Sequence, residues 1–284
     1  MIGLKREGLD KFYTKGEIAQ KCCEAIKEQN IIKKNDLIIE PSAGAGAFIK
    51  DIKLLSGNCR FYDIQPDNKE IIQQDFLDLD LSKMIKNIHI IGNPPFGRQS
   101  SLAKKFIKKC TPFAISISFI LPKSFKKESL QKTFPLNFHL IYEIDLPNNS
   151  FLIDNSTGRE EQEEREEKRR EYNVPCVFQI WLKKSFNRDV IEKEDPIDFK
   201  FVKKDENPHI SFRRVGVNAG NIEKETSNKS EQSHYFIIFL NEKLLDYLQK
   251  FKDIEFDLDN TVGPKSISKP EVIREFNYII RNID

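Results

Sequence analysis

Charge of one sign is what this chain most conspicuously lacks. Lys and Arg number 46 against 44 Asp and Glu, a formal net charge of +2 over 284 residues. No global basic field therefore advertises a polyanionic partner, and any such surface has to be local. Cysteines are few and poorly spaced for structural work: Cys22, Cys23, Cys59, Cys110 and Cys176 make an odd total without a CxxC pair. That argues against a disulfide framework and a thiolate metal site, and for a reducing compartment. No run of about 18 apolar residues occurs, and the stretch from Met1 to Asp10 has no apolar signal core. The expectation is a soluble intracellular protein, cytoplasmic or nuclear, with no membrane partner and no metal. What remains is an ordinary globular composition, 39% apolar and 32% charged. Its length suits one large core, or one core with a small appended domain.

The chain is organised around Ile90-Ile91-Gly92-Asn93-Pro94-Pro95-Phe96. β-branched residues run into a glycine, and two prolines then stiffen the backbone. Each proline fixes its own φ and pushes the residue before it into an extended conformation. Such a loop, just beyond a strand, presents the Asn93 side-chain oxygen and the Pro94 carbonyl in a fixed relation, with Phe96 beside them. Two aimed acceptors and an aromatic face suit an amino group on a flat ring.

The segments before this loop alternate strand and helix. Thr14 stands where it could cap a helix, with Glu17 three residues on as in a capping box. Ile18, Cys22, Ala25 and Ile26 then recur at helical spacing. Asp36 to Glu40 reads as a buried strand ending in an acid. Pro41-Ser42-Ala43-Gly44-Ala45-Gly46-Ala47-Phe48 follows, a glycine-rich turn into a helix. At that position in open α/β sheets a ligand approaches the backbone. Arg60 to Asp63 is a second strand, with Ile64 after it. Asp63 lies about 20 residues past the glycines, the spacing of a carboxylate that accepts from ribose hydroxyls. The third glycine of the dinucleotide fingerprint is missing, and so is the GK[ST] of a P-loop. A nucleoside without a phosphate chain fits better than NAD or a nucleoside triphosphate. Ile71 to Leu77 reads as a third strand running into a loop, where Asp75 could accept from an adenine amine and Phe76 could cover the ring. Capping and core roles fit these two residues equally well.

Asn87 to Gly92 is then the fourth strand and Arg98 to Cys110 a helix. Ala114 to Leu121 is the fifth strand, followed by a basic helix from Lys123 to Lys132. Phe138 to Leu146 and Val174 to Lys183 are the last two strands, with only a loop between them, so they should pair antiparallel. The fold expected is α/β: a doubly wound, mostly parallel seven-stranded sheet with one reversed strand. Residues 1–186 would form this domain, interrupted by a charged insertion at about 155–172, where Arg159 to Glu171 holds no apolar residue. Residues 187–284 read as a small α+β domain. There, Ser211 to Val217 and Thr261 to Lys269 place Arg213, Arg214 and Lys265 in turns beside strands, which suits phosphate contacts.

Together these residues resemble the class I S-adenosylmethionine-dependent methyltransferases that modify amino groups. The nearest likeness is to the adenine-N6 branch of gamma type, viral and phage-like members included. On that resemblance Phe12-Tyr13-Thr14 is similar to the N-terminal cofactor motif, although Lys15 stands where proline is usual. The resemblance implies that Glu40, Pro41, Ser42, Gly44 and Gly46 hold the methionine part of S-adenosylmethionine. It assigns the ribose to Asp63 and the adenine to Asp75 and Phe76, with Ile64 among the cofactor-binding residues. Asn93, Pro94, Pro95 and Phe96 are then the catalytic signature, and Phe151 falls where the family places a second aromatic beside the target base. Lys123, Arg213, Arg214 and Lys265 are the candidate substrate contacts. The implied activity is methylation of adenine N6 in nucleic acid, DNA ahead of RNA. RNA adenine, caps included, and protein glutamine are the alternatives, and an inactive methyltransferase-like binding module is a further one. Oligomeric state is not legible.

Overall fold

The computed structural model describes residues 12–81, 87–153, 170–190 and 192–283. They fall into two compact units divided between Asp189 and Val190.

In the first unit the chain runs β1 (Phe12–Thr14), α1 (Gly16–Glu28), β2 (Leu37–Glu40), α2 (Ile49–Leu55), β3 (Cys59–Asp63), β4 (Ile72–Gln73) and β5 (Ile88–Gly92). It continues through α3 (Ser101–Cys110), β6 (Ala114–Pro122), α4 (Glu128–Gln131), β7 (Phe138–Asp145), β8 (Phe151–Ile153), β9 (Arg170–Tyr172) and β10 (Cys176–Lys183). Seven strands form one sheet in the order β4-β3-β2-β5-β6-β10-β7. The pairs from β4 to β6 are parallel, while β10 runs antiparallel to both neighbours. Parallel strands are covered on both faces, so successive residues enter opposite cores. Leu37 and Ile39 join Ile88 and Ile90 under α3. Ile38 and Ile91 join Ile120 and Phe178 under α1 and α2. The strand order reverses between β2 and β5, and in open α/β sheets the ligand crevice lies outside the strand ends at that point.

Several local expectations change. Thr14 is not a cap: it is paired with Phe151 in a separate sheet of order β1-β8-β9. Lys15, extended at φ −66° and ψ 143°, takes the N-cap position without a side-chain capping bond. The third strand shrinks to Ile72–Gln73 because the Asp75 carboxylate accepts from Leu77 N–H at 2.9 Å and starts a 3₁₀ turn. The basic helix is broken into a 3₁₀ turn, Lys123–Lys126, and α4, because Lys127 is extended while Phe125 is fully buried. Of the charged run, residues 159–169 lie outside the described residues, but its last two residues enter β9. Arg188 extends the first unit past the expected boundary. Its guanidinium donates to the Phe138 and Phe134 carbonyls at 2.6 and 3.1 Å and lies 5.3 Å from the Trp181 ring.

The second unit is α+β. Strands β11 (Phe199–Val202), β12 (Ile210–Arg213), β13 (Ile222–Glu223) and β14 (His234–Phe239) form an antiparallel sheet of order β11-β14-β12-β13. Helices α5 (Leu248–Lys252) and α6 (Lys269–Arg281) accompany it. Val272 and Phe276 of α6 pack into a core with Phe199, Phe212, Phe239 and Phe251. Ser268 and Glu271 close a capping box at the start of α6, with Pro270 in its first turn.

No helix among the described residues is long and apolar enough to cross a membrane. Nor do those residues hold a cluster of three or more His, Cys, Asp or Glu suited to a metal ion.

Candidate active site at the strand-order reversal

β2 ends at Glu40 and β5 at Gly92, and the two loops that follow enclose a cavity of about 220 Å³. Its walls bring together Phe12, Tyr13, Pro41, Ser42, Gly44 and Asp63 with Asn93 and the two prolines after it. Ile64, Asp75, Phe76 and Phe96 complete the wall from the expected set. Thr14 and Glu40 line a smaller neighbouring cavity that shares Asn93, Ser42 and Gly44. Gly46 lines neither cavity. Its φ is +88°, and a Cβ there would meet Ile49 Cδ1 at 2.6 Å, so it turns the chain into α2.

Glu40 is fully buried, and its Oε2 has no hydrogen-bond partner among the described residues. Burial first, and Asp63 nearby second, push its pKa up to about 8. Gly92 permits this close approach, since a Cβ there would lie 3.1 Å from Glu40 Cγ. Asp63 is held in place by backbone donors: Oδ2 accepts from Gly44 N–H at 2.7 Å and Oδ1 from Gln65 N–H at 2.8 Å. Both oxygens keep lone-pair capacity for a hydroxyl donor. Phe76 is buried and stacks on Phe106, 5.9 Å away and tilted 13°. It is therefore core and cavity wall at once, as Asp75 is both cap and lining residue.

Across the cavity the Asn93 amide is fixed in orientation. Its Nδ2 donates to Thr14 Oγ1 at 3.2 Å, and its backbone carbonyl accepts from Ser42 Oγ at 3.1 Å. Asn93 Oδ1 is buried without a hydrogen-bond partner among the described residues. An unmet acceptor of this kind is costly, and an added N–H or O–H donor would relieve it.

The aromatic arrangement differs from the one expected. Phe151 is 1% exposed and belongs to the core beneath α1. It does not line the cavity, because β8 is clasped between β1 and β9. The half-buried Phe12 takes the place beside Phe96, with ring centroids 6.5 Å apart and planes 27° apart. Tyr172 of β9 stacks behind Phe12 at 5.0 Å and 23°. Lys15 and Glu171, 2.5 Å apart, pin the same two strands. Sequence reasoning passed over Tyr172, which ends a charged run, and also Leu102 and Phe106, whose helical spacing marks a buried face without saying which cavity it borders. Lys123 is likewise elsewhere, paired with Asp145 at 3.1 Å. Arg213, Arg214 and Lys265 lie in the second unit.

A sequence model described as the EDM2 methyltransferase-like domain matches residues 31–194, more than half of the chain. The chain belongs to that family. Among solved structures, this EDM2-type domain is similar to a protein from Pyrococcus horikoshii provisionally assigned as an RNA methyltransferase, at 14% identity and TM-score 0.45 over 64% of this chain and 93% of the other. It is also similar to the 23S rRNA methyltransferase ErmE, at 12% identity and TM-score 0.43 over 62% and 71%. A provisionally assigned methyltransferase from Streptococcus mutans in complex with SAH aligns at 14% identity and TM-score 0.34 over 58% and 95%. No curated protein sequence matches the chain.

That family is methyltransferase-like, and S-adenosylmethionine is the group that a methyltransferase would bind at the strand-order reversal. The residues present fit that group. The cationic amino-acid end would meet Glu40, whose buried Oε2 has no partner among the described residues, and Gly44 would let it approach the backbone. Asp63 offers acceptors to ribose hydroxyls, and Asp75, Phe76 and the half-exposed Ile64 form an apolar slot with one acid at its rim.

Proposed function

We propose that the first unit methylates the N6 amino group of adenine in nucleic acid, with DNA as the first substrate to test. The observation that carries this reading is Asn93. Its amide nitrogen is spent on Thr14, so the buried, unpartnered Oδ1 is the acceptor left on a residue that lines the cavity. The Pro94 carbonyl follows it in a doubly proline-stiffened loop, and the half-exposed Phe96 offers a face to a flat ring.

Bound S-adenosylmethionine supplies an electrophilic methyl group, so the chain needs to furnish no metal and no covalent nucleophile. Its own task is to make a poor nucleophile adequate. The lone pair of an adenine amine is delocalised into the ring. Accepting both N–H hydrogens, at Asn93 Oδ1 and the Pro94 carbonyl, favours a pyramidal nitrogen with its lone pair released. The same acceptors stabilise the positive charge that develops there, which combines orientation with preorganised electrostatics. A base in a duplex has first to be flipped out, at a cost of a few kcal/mol. Phe96 and Phe12 offset that cost by receiving the ring. The second unit is proposed as the substrate-recognition domain.

The test supplies S-adenosylmethionine carrying a labelled methyl group, with duplex DNA, single-stranded DNA, RNA and a protein extract offered in parallel. Label recovered as N6-methyladenine from DNA is the expected result. The same nucleoside from RNA alone would change the polymer but keep the chemistry. Label in glutamine side chains of the extract, with none in nucleic acid, would overturn the reading.

A further inference from the structure

The two adjacent arginines at the end of β12 have different surroundings. Arg214 is engaged: its guanidinium lies 5.3 Å from the Tyr235 ring, and its Nε donates to the Gln232 carbonyl at 3.2 Å. Arg213 instead borders a polar cleft of about 390 Å³, walled by the turn before β13 and the loop that leads into β14. Its Nε donates to the Val215 carbonyl at 2.8 Å, which fixes the plane of the guanidinium. The Nη groups make no hydrogen bond or ion pair among the described residues.

The other groups around this cation leave its charge unmatched. Lys229 is hydrogen-bonded to Glu223, the one acid of the cleft, and that bond holds the Glu223 carboxyl below its usual range. Burial, with Arg213 nearby, pushes the pKa of His234 down, so its ring adds no charge at neutral pH. Asn218, Asn221 and Asn228 line the cleft, and their side-chain amides make no hydrogen bond among the described residues. One oriented fork with free N–H donors, surrounded by neutral amide donors and lacking an aromatic wall, matches a tetrahedral oxyanion rather than a stacked base.

We propose that this cleft is a phosphate-binding site with Arg213 as its bidentate donor. The site stands on the geometry of the second unit. Only the source of the phosphate, a nucleic-acid backbone, rests on the reading of the first unit as a nucleic-acid methyltransferase.

The experiment uses the full chain, unaltered and as Arg213→Gln and Arg213→Lys. Inorganic phosphate is titrated in one arm, and DNA or RNA of one length at several salt concentrations in the other. Matching melting temperatures establish that each variant is folded. In Arg213→Gln, phosphate binding should be lost, and polymer affinity should fall with a salt dependence shallower by about one in log–log slope. Arg213→Lys should keep the slope yet bind phosphate more weakly, since a point charge lacks the fork. Phosphate binding that is lost in Arg213→Gln, with no change in polymer affinity, would uphold the site but overturn the backbone as its source. Unchanged phosphate binding in Arg213→Gln, or none by the unaltered chain, overturns the site, whatever the methyl-transfer assay gives.

Discussion

Asn93 Nδ2 donates to Thr14 Oγ1 across 3.2 Å, joining residues 79 positions apart in the chain. The contact gives Thr14 a task that its position before a helix does not suggest. By occupying the amide nitrogen it decides which Asn93 atom is left for a ligand. Thr14→Val keeps the shape of the side chain and removes the acceptor. A lost hydrogen bond of this kind is worth about 1 kcal/mol, so the single-turnover methylation rate should fall roughly five- to tenfold. Thr14→Ser should restore it. Equal rates in Thr14→Val and the unaltered protein would show that the amide is oriented by something else.

Glu40 ties cofactor affinity to pH. Its pKa, pushed to about 8 by burial and by Asp63, means that the ligand-free site is mostly protonated at neutral pH. A cationic ligand favours the carboxylate form, so affinity for S-adenosylmethionine should rise from about pH 6 to 7.5. Glu40→Gln should bind more weakly and lack that rise. The stability consequence has the opposite sense. A carboxyl with a raised folded-state pKa stabilises fully below its unfolded value near 4.5, and that contribution is lost as pH rises through about 8. Melts of the ligand-free protein should therefore show Glu40→Gln gaining on the unaltered chain as pH increases. A constant difference between the two would contradict the assignment.

The row Tyr172–Phe12–Phe96 replaces the clamp expected from Phe151. Phe96→Ala should raise the KM for the polymer and lower kcat, with cofactor affinity little changed. Tyr172→Ala should raise KM by a few-fold, as expected for a loss of about 1 kcal/mol of ring packing. Tyr172→Phe should behave as the unaltered protein. An effect of Tyr172→Ala on cofactor affinity alone would place the residue on the wrong side of the site.

A buried array at the opposite end of β5 makes a separate prediction. His89 is fully buried, with Nδ1 2.7 Å from Ser116 Oγ and Nε2 3.2 Å from Asp36 Oδ2. Ser116 is enclosed as well, so the trio is a strand tie rather than a nucleophile system. Burial pushes the His89 pKa down in spite of Asp36. For Asp36, burial opposes ionisation, yet the bonds from Lys33 N–H, Asn87 and His89 prevail and hold it below its usual value. In both cases the unfolded chain binds protons more readily. The contribution of His89 is thus present above its unfolded pKa of about 6.5 and lost as pH falls, with Asp36 adding to the loss below about pH 4. The stability advantage of the unaltered chain over His89→Gln should shrink between pH 7 and 5. An advantage that grows on acidification would mean that His89 is charged in the fold.

The sheet was readable because parallel strands buried on both faces appear as unbroken apolar runs such as Leu37 to Ile39 and Ile88 to Ile91. The residues at their ends, Glu40, Asp63 and Asn93, stood out as candidates because an acid or amide straight after such a run is unusual, and the structure gathers them around the cavities at the strand-order reversal. What failed to show was pairing over long distances. Neither a three-residue strand at Phe12 nor one at Arg170, at the end of a Glu/Arg run, carries a period that can be read, since both are specified by β8 between them. The strand pairing of Thr14, the burial of Phe151 and the ring of Tyr172 were misread or passed over for that one reason. Lys123 was misplaced because a helical reading of a basic stretch overlooks Phe125, whose burial turns the chain early and leaves Lys123 to Asp145.

The central claim is that Asn93 activates a substrate amine and does not hold the cofactor. It is tested most directly by measuring two quantities on one preparation of Asn93→Ala: the dissociation constant for S-adenosylmethionine and the single-turnover rate of N6-adenine methylation. The account requires cofactor affinity within a few-fold of the unaltered protein and a rate lowered by at least about a hundredfold, the scale of removing an aimed hydrogen-bonding group from a reaction centre. Rate and affinity lost together, or a rate that survives, would contradict it.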